Sequence, residues 1–121
     1  MFISGYGVNR TGIDNNLIVS TDLYVTIANL CGVEDTQISD SKSLIPLLTS
    51  NTSIRDFQYS EMDNGTNDVW AIRNLNYKLI VNANGNEEFF DMISDPYEQN
   101  NLLLSNLTSD QQSAKNVLES E

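Results

Sequence analysis

Histidine does not occur in this chain of 121 residues, and cysteine occurs once, at Cys31. The first absence removes the commonest general base and the commonest metal ligand together. The second excludes an internal disulfide and a cysteine-based structural zinc site. Ser/His/Asp and Cys/His catalysis are excluded as well. Basic residues are scarce: six Lys and Arg stand against 17 Asp and Glu, for a formal net charge of −11. Nucleic acid and anionic membranes are therefore not expected as partners, because neutralising phosphates takes clustered cations. No apolar run approaches the roughly 18 residues of a membrane-spanning helix. "MFISGYGV" lacks the basic lead and sustained apolar stretch of a secretory leader, so export would need a segment outside these residues. "GYGVNRTG" has glycines but neither the lysine nor the spacing of a phosphate-binding loop.

What is present is a globular composition, 40% apolar, at a length suited to one domain that buries roughly two thirds of its extended surface. "MFISGYGV" reads as a short strand followed by a loop rich in Gly and Asn. "STDLYVTIANLCGV", Ser20 to Val33, reads as an amphipathic helix. Ser20 or Thr21 caps it, Asp22 suits the positive end of the dipole, and Gly32 supplies the left-handed stop. Leu23, Ile27, Leu30 and Cys31 make its apolar stripe, which predicts a buried, inert thiol. In "DSKSLIPLLTSN", Ser43 and Pro46 open a short turn of helix.

From Phe57 the period changes to two. "FQYSEM", "VWAIR", "YKLIV" and "EFFDM" read as four strands joined by the turns "DNGTND", "NLN" and "NANGN". Asn84-Gly85 predicts a type I′ hairpin, and the short links predict an antiparallel meander. Asp95 and Glu98 stand at capping-box spacing with Pro96 between them, which predicts one turn of helix. Thr108 with Gln111 repeats the pattern and opens a C-terminal helix with Ala114, Val117 and Leu118 as its apolar contacts.

The carboxylates have structural explanations. Glu87 and Glu88 point to opposite faces of a strand, and Asp63 to Asp68 lacks the spacing and terminal Glu of a calcium loop. The Asn-x-Ser/Thr triplets at Asn9, Asn51, Asn64 and Asn106 matter only in a eukaryotic secretory host. The residues themselves offer no catalytic set and no metal ligands.

Three segments, in order, resemble the sulfatases. "STDLYVTIANLCGV" is similar to the element in which an Asp opens a helix ending in Gly. "DSKSLIPLLTSN" matches the Asp-Gly-x-Ser-Leu-x-Pro-Leu-Leu segment through Asp40, Ser43, Leu44, Pro46, Leu47 and Leu48. "YSE", "AIRNLNYKLIV" and "EEFFDMISDPYEQNNLL" resemble the C-terminal signature, with Asp91, Asp95, Pro96, Glu98, Asn101 and Leu102 in register. Val25 stands where Pro is usual and Ser41 where Gly is common.

The resemblance implies the C-terminal portion of an arylsulfatase-type enzyme of the alkaline phosphatase superfamily, hydrolysing sulfate esters. It implies a formylglycine made from Cys or Ser in C/S-x-P-x-R, and a calcium, both in an N-terminal part outside this chain. Here "SDPYE" carries Glu98 at the Arg position, so Ser94 is not the nucleophile. The expected fold is α+β: a four-stranded antiparallel sheet with a C-terminal helix, preceded by a strand and helix left over from a larger α/β sheet. Residues 1–50 would be the tail of that core and 51–121 the antiparallel-sheet subdomain.

The implied partners are the N-terminal sulfatase core and a sulfated carbohydrate or aryl sulfate, in a periplasmic or secreted setting. The isolated chain would self-associate through its unpartnered stripe. Trp70 and Asn67 are the candidate substrate contacts, although strand alternation puts Trp70 on the face of Ile72, which favours a core role. Two other readings compete. One is a stand-alone acidic binding module derived from this subdomain, and the other is an enzyme acting on phosphate or phosphonate esters, which the Asp-Pro-x-Glu-x-x-Asn-Leu stretch disfavours.

Overall fold

The computed structural model describes residues 1–33, 40–63, 65–66 and 68–121. The period-two segments form β1 (Gln58–Met62), β2 (Val69–Arg73), β3 (Tyr77–Asn82) and β4 (Glu87–Asp91). They pair in sequence order, every neighbour antiparallel. The α+β expectation, a four-stranded meander followed by a C-terminal helix, holds. Alternation puts Ile72, Leu79 and Phe89 on one face, where they close around Leu118 of the last helix. Leu79 and Phe89 are fully buried, and Phe89 stacks on Tyr77 at 5.2 Å between ring centroids.

That helix, α3 (Ser109–Ser120), starts with the expected capping box: Thr108 accepts from Gln111 N–H, and the Gln111 side chain accepts from Thr108 N–H. Of its three expected apolar contacts, Leu118 is buried and Ala114 packs on the core, but Val117 is exposed. Lys115 takes the buried position instead. Its Nζ lies 2.9 Å from Glu87 and pairs also with Glu119. Burial works against its charge, yet the two carboxylates outweigh it and push the lysine above its ordinary pKa.

The β3–β4 connection is not a type I′ turn. Only Gly85 has positive φ, at 81°. Gly85 N–H donates to Asn82 O at 2.8 Å, and Asn82 N–H to Asn86 O at 2.9 Å. This is a three-residue loop with glycine in the left-handed position, which asks nothing unusual of Asn84.

Two compact units are formed, Met1–Asp56 and Phe57–Glu121. In the first, α1 (Asp22–Leu30) ends as expected: Gly32 N–H donates to Asn29 O and Val33 N–H to Ala28 O, with Gly32 at φ 76°. These two bonds satisfy carbonyls the helix leaves open.

Its start and its buried face differ from expectation. Neither Ser20 nor Thr21 caps it through a side chain. Asp22 instead reaches back along the chain, accepting from Val19 N–H at 2.8 Å, and so fixes the segment that leads into the helix. The buried residues are Asp22, Val25 and Thr26, whereas Leu23, Ile27 and Leu30 are 37%, 60% and 66% exposed. Cys31 is exposed too, contrary to the buried thiol expected. The reason is that the inner side of α1 carries Asp22 and Thr26, whose side chains both find partners within the unit. Thr26 Oγ1 donates to Asp22 O and accepts from Leu44 N–H at 2.8 Å, fastening α1 to the start of α2 (Ile45–Ser50). There, as expected, Pro46 sits in the first turn, but the N-cap is Leu44 rather than Ser43; Ser43, one residue earlier, accepts from Ile45 N–H at 3.4 Å.

The strand expected over "MFISGYGV" is not formed. Residues 5–7 turn, and Asn9 N–H donates to Leu48 O. A strand needs a neighbour to take its N–H and C=O groups, and no strand runs beside this segment among the described residues.

Candidate functional site

Trp70 lies on β2 opposite Glu61 of β1 and Val81 of β3. It is half-buried and packs against the Ile72–Leu79–Phe89–Leu118 cluster, the core role that alternation favours. Its other neighbour is Tyr59, two residues before Glu61 on the same face of β1. The two rings stack at 6.4 Å between centroids with 28° between planes. Tyr59 is 53% exposed and donates its hydroxyl to Glu61 Oε2 at 3.1 Å. Limited desolvation and the Glu61 carboxylate both raise the tyrosine pKa, so the phenol stays neutral. Tyr59 and Glu61 were not singled out from the sequence. Their signal was the alternation of "FQYSEM", which becomes informative only once the register opposite Trp70 is known. Asn67, the other candidate contact, lies outside the described residues.

The stretch from Asp91 to Asn101 has a different organisation from the capping box expected, and it is structural in each contact. Burial opposes charge on Asp91, but N–H donation from Ser94 and Ile93 outweighs it and holds the carboxyl below its ordinary pKa. Asp95 accepts from Asn100 N–H at 2.8 Å, with no helical turn over Pro96. Glu98 N–H donates to Asp95 O at 3.2 Å, but its side chain does not return to Asp95; its backbone is left-handed at φ 57° and both its carboxylate oxygens lie 2.8 Å from Lys78 Nζ. Asn101 accepts from Phe89 N–H and donates to Glu87 O, standing in for a strand along the outer edge of β4. It also accepts from Leu103 N–H and so caps the 3₁₀ turn Leu102–Leu104. The motif is a fastener that ties the segment after the sheet to β3 and β4.

A sulfate-handling site needs a nucleophile, a metal or cations, and a leaving-group acid. Ser94 sits where a C/S-x-P-x-R nucleophile would, but the Arg position is Glu98 and is committed to Lys78. Four of the six cations are tied to carboxylates: Arg10 to Asp14, Arg55 to Asp22, Lys78 to Glu98, and Lys115 to Glu87 and Glu119. Among the described residues no three His, Cys, Asp or Glu side chains converge to hold a metal ion. In the first unit a hollow of about 410 Å³ is lined mainly by apolar residues, among them Phe2, Val8, Ile13 and Leu47. Its one cation, Arg10, is held by Asp14 and by Leu47 O, so the hollow is built for packing rather than for anion binding.

Comparison with known proteins agrees with this division. Residues 5–120 match the family model described as N-sulphoglucosamine sulphohydrolase, C-terminal. Among solved structures, the fold is similar to that of a 2-O GAG sulfatase, at TM-score 0.76, 24% identity and 97% of this chain. A protein solved in complex with its substrate D-glucosamine-2-N,6-O-disulfate is similar at TM-score 0.68 and 25% identity over 82% of this chain. A putative sulfatase from Bacteroides thetaiotaomicron is similar at TM-score 0.63 and 26% identity, also over 82%. No curated protein matches. The chain spans 22%, 26% and 22% of the length of the disulfate-bound protein, the GAG sulfatase and the Bacteroides protein. With the family matched from residue 5 to residue 120, the chain belongs to the N-sulphoglucosamine sulphohydrolase C-terminal family and is a C-terminal portion of a sulfatase.

Proposed function

We propose that this chain serves a sulfatase acting on sulfated carbohydrate of the glucosamine type, as a structural and substrate-bordering part rather than as the seat of chemistry. The observation that carries this is the family match over residues 5–120. The disulfate named for one similar structure supports the substrate class. The formylglycine and calcium that sulfate-ester hydrolysis uses in this family would be supplied by sequence outside these residues, since Ser94 and the described carboxylates do not fit either. The exposed stripe Leu23–Ile27–Leu30 and the apolar lead-in around Phe2 would pack on that larger core, with residues 1–50 as its tail and 51–121 as the smaller subdomain. The loop before β2, with Trp70 and Asn67, would border the non-sulfated part of the substrate.

The test is turnover of an aryl sulfate. The chain alone should stay at the buffer rate, with or without calcium. Supplying the N-terminal part of a matching sulfatase, by co-expression or fusion ahead of Met1, should bring activity. Calcium-dependent turnover by the chain alone, surviving a Ser94→Ala control, would overturn the assignment of the chemistry to sequence outside it.

A further inference from the structure

We infer that Tyr59, Trp70 and Glu61 form a carbohydrate subsite that takes an unsulfated ring face and rejects a sulfated one. This rests on the substrate class proposed above and adds to it the residues and the selectivity.

The argument begins with geometry. Tyr59 and Trp70 stack across the β1–β2 pair, and Tyr59 remains 53% exposed. An aromatic ring in that position can take the apolar C–H face of a pyranose. The sheet, not a mobile side chain, sets its place: Tyr59 pairs with Ile72 and Glu61 with Trp70 in the ladder. The rings are pre-placed, so little ordering cost attaches to binding.

Charge then decides what the ring may carry. Glu61 is exposed, opposite Trp70 in the register, and holds the Tyr59 hydroxyl at 3.1 Å. It presents acceptor capacity to sugar hydroxyl groups, since a carboxylate has about four lone-pair sites and Tyr59 uses one. The chain from Gln58 to Ile72 carries no Lys or Arg, and adds Asp63 and Asp68. A sulfate ester at this place would meet negative charge with no Lys or Arg on this face of either strand, because Arg73, the last residue of β2, pairs with Gln58 and alternates to the opposite face. A hydroxyl or acetamido group would meet acceptors. The subsite therefore suits a neutral unit of the chain, or a ring from which sulfate has already been removed.

Trp70 is the single tryptophan of the chain, so its emission reports on this place alone. The dilute purified chain is titrated with N-acetyl-D-glucosamine and, separately, with D-glucosamine-2-N,6-O-disulfate at low salt. We expect a saturable change with the neutral sugar and weaker binding of the disulfate. Tyr59→Ala should weaken the neutral sugar about two- to tenfold, the range of one aromatic contact, while Tyr59→Phe should retain it. Glu61→Gln should strengthen the disulfate about fivefold, the effect of one unit charge at about 4 Å in water, and added salt should shrink that gain. Unfolding midpoints of the variants establish that the sheet is intact. No saturable change, equal binding of both sugars, or binding indifferent to Tyr59→Ala would each overturn the inference. None of these readings requires turnover, so a failure here is separate from a failure of the sulfatase complementation.

Discussion

Lys78 of β3 and Glu98, twenty residues later, meet with both carboxylate oxygens 2.8 Å from the ammonium, while Glu98 holds a left-handed backbone at φ 57°. A non-glycine residue there costs roughly 1–2 kcal/mol, so the ion pair and the turn work against each other. Glu98→Ala keeps the strain and loses the pair. Glu98→Gly loses the pair and relieves the strain. Denaturant titration should place Glu98→Ala about 1 kcal/mol below the parent chain and Glu98→Gly close to it. Equal losses in the two variants would mean that the backbone conformation is not strained.

Asp22 is fully buried and bound by Val19 N–H, Lys42 N–H and the Arg55 guanidinium, whose Nε–H finds no acceptor among the described residues. Removing one partner of a buried pair leaves the other uncompensated, at about 3–5 kcal/mol. Asp22→Ala should therefore unfold the first unit or lower its stability by that order in urea. Arg55→Met, which removes the second charge by an apolar residue of similar length, should recover part of the loss when added to Asp22→Ala. A double variant no better than the single one would count against the pairing.

Acid should reveal Asp91. Its folded-state pKa lies below the unfolded value, for which 3.8 is the reference. The contribution is therefore full above the unfolded pKa and disappears as pH falls through the lower folded one. Compared with Asp91→Asn, the parent chain should be the more stable at neutral pH, and the two should converge only below about pH 4. Convergence already at pH 6 would contradict the direction of the shift.

The exposed stripe of α1 should govern association. Ile27→Glu replaces a side chain that is mostly exposed, so chemical stability should change by less than about 0.5 kcal/mol. Light scattering and hydrophobic-dye binding should both fall relative to the parent chain. Unchanged self-association would mean that another surface is responsible.

Losing the Thr108 cap should cost about 1 kcal/mol, because Thr108→Ala frees the Gln111 N–H, while the backbone N–H of residue 108 keeps its bond to the Gln111 side chain. Since α3 carries Leu118 into the core, the loss should appear in the melting of the whole second unit. A loss confined to fraying of α3 by hydrogen exchange would show that the helix is not coupled to the sheet.

The features legible in the sequence are those whose partners lie within a few residues. Period two from Phe57 determined four strands and their faces, the short links determined their antiparallel order, and Thr108 with Gln111 determined where α3 begins. Gly32 ended α1 because only a left-handed residue satisfies its last carbonyls. Trp70 was visible as a single aromatic on a strand. What tertiary structure decided are contacts that span the chain. Asp95 and Glu98 have the spacing of a local cap, yet Lys78 takes Glu98 because a full charge across the sheet outbids a backbone N–H that water can satisfy. Asp22 looked like a dipole residue and became the buried anchor of Arg55, 33 residues away. The stripe Leu23–Ile27–Leu30 looked like a core face and stands exposed, because α1 turns its hydrogen-bonding side inward. Tyr59 and Glu61 acquire their place beside Trp70 only through the β1–β2 register, which no local pattern states.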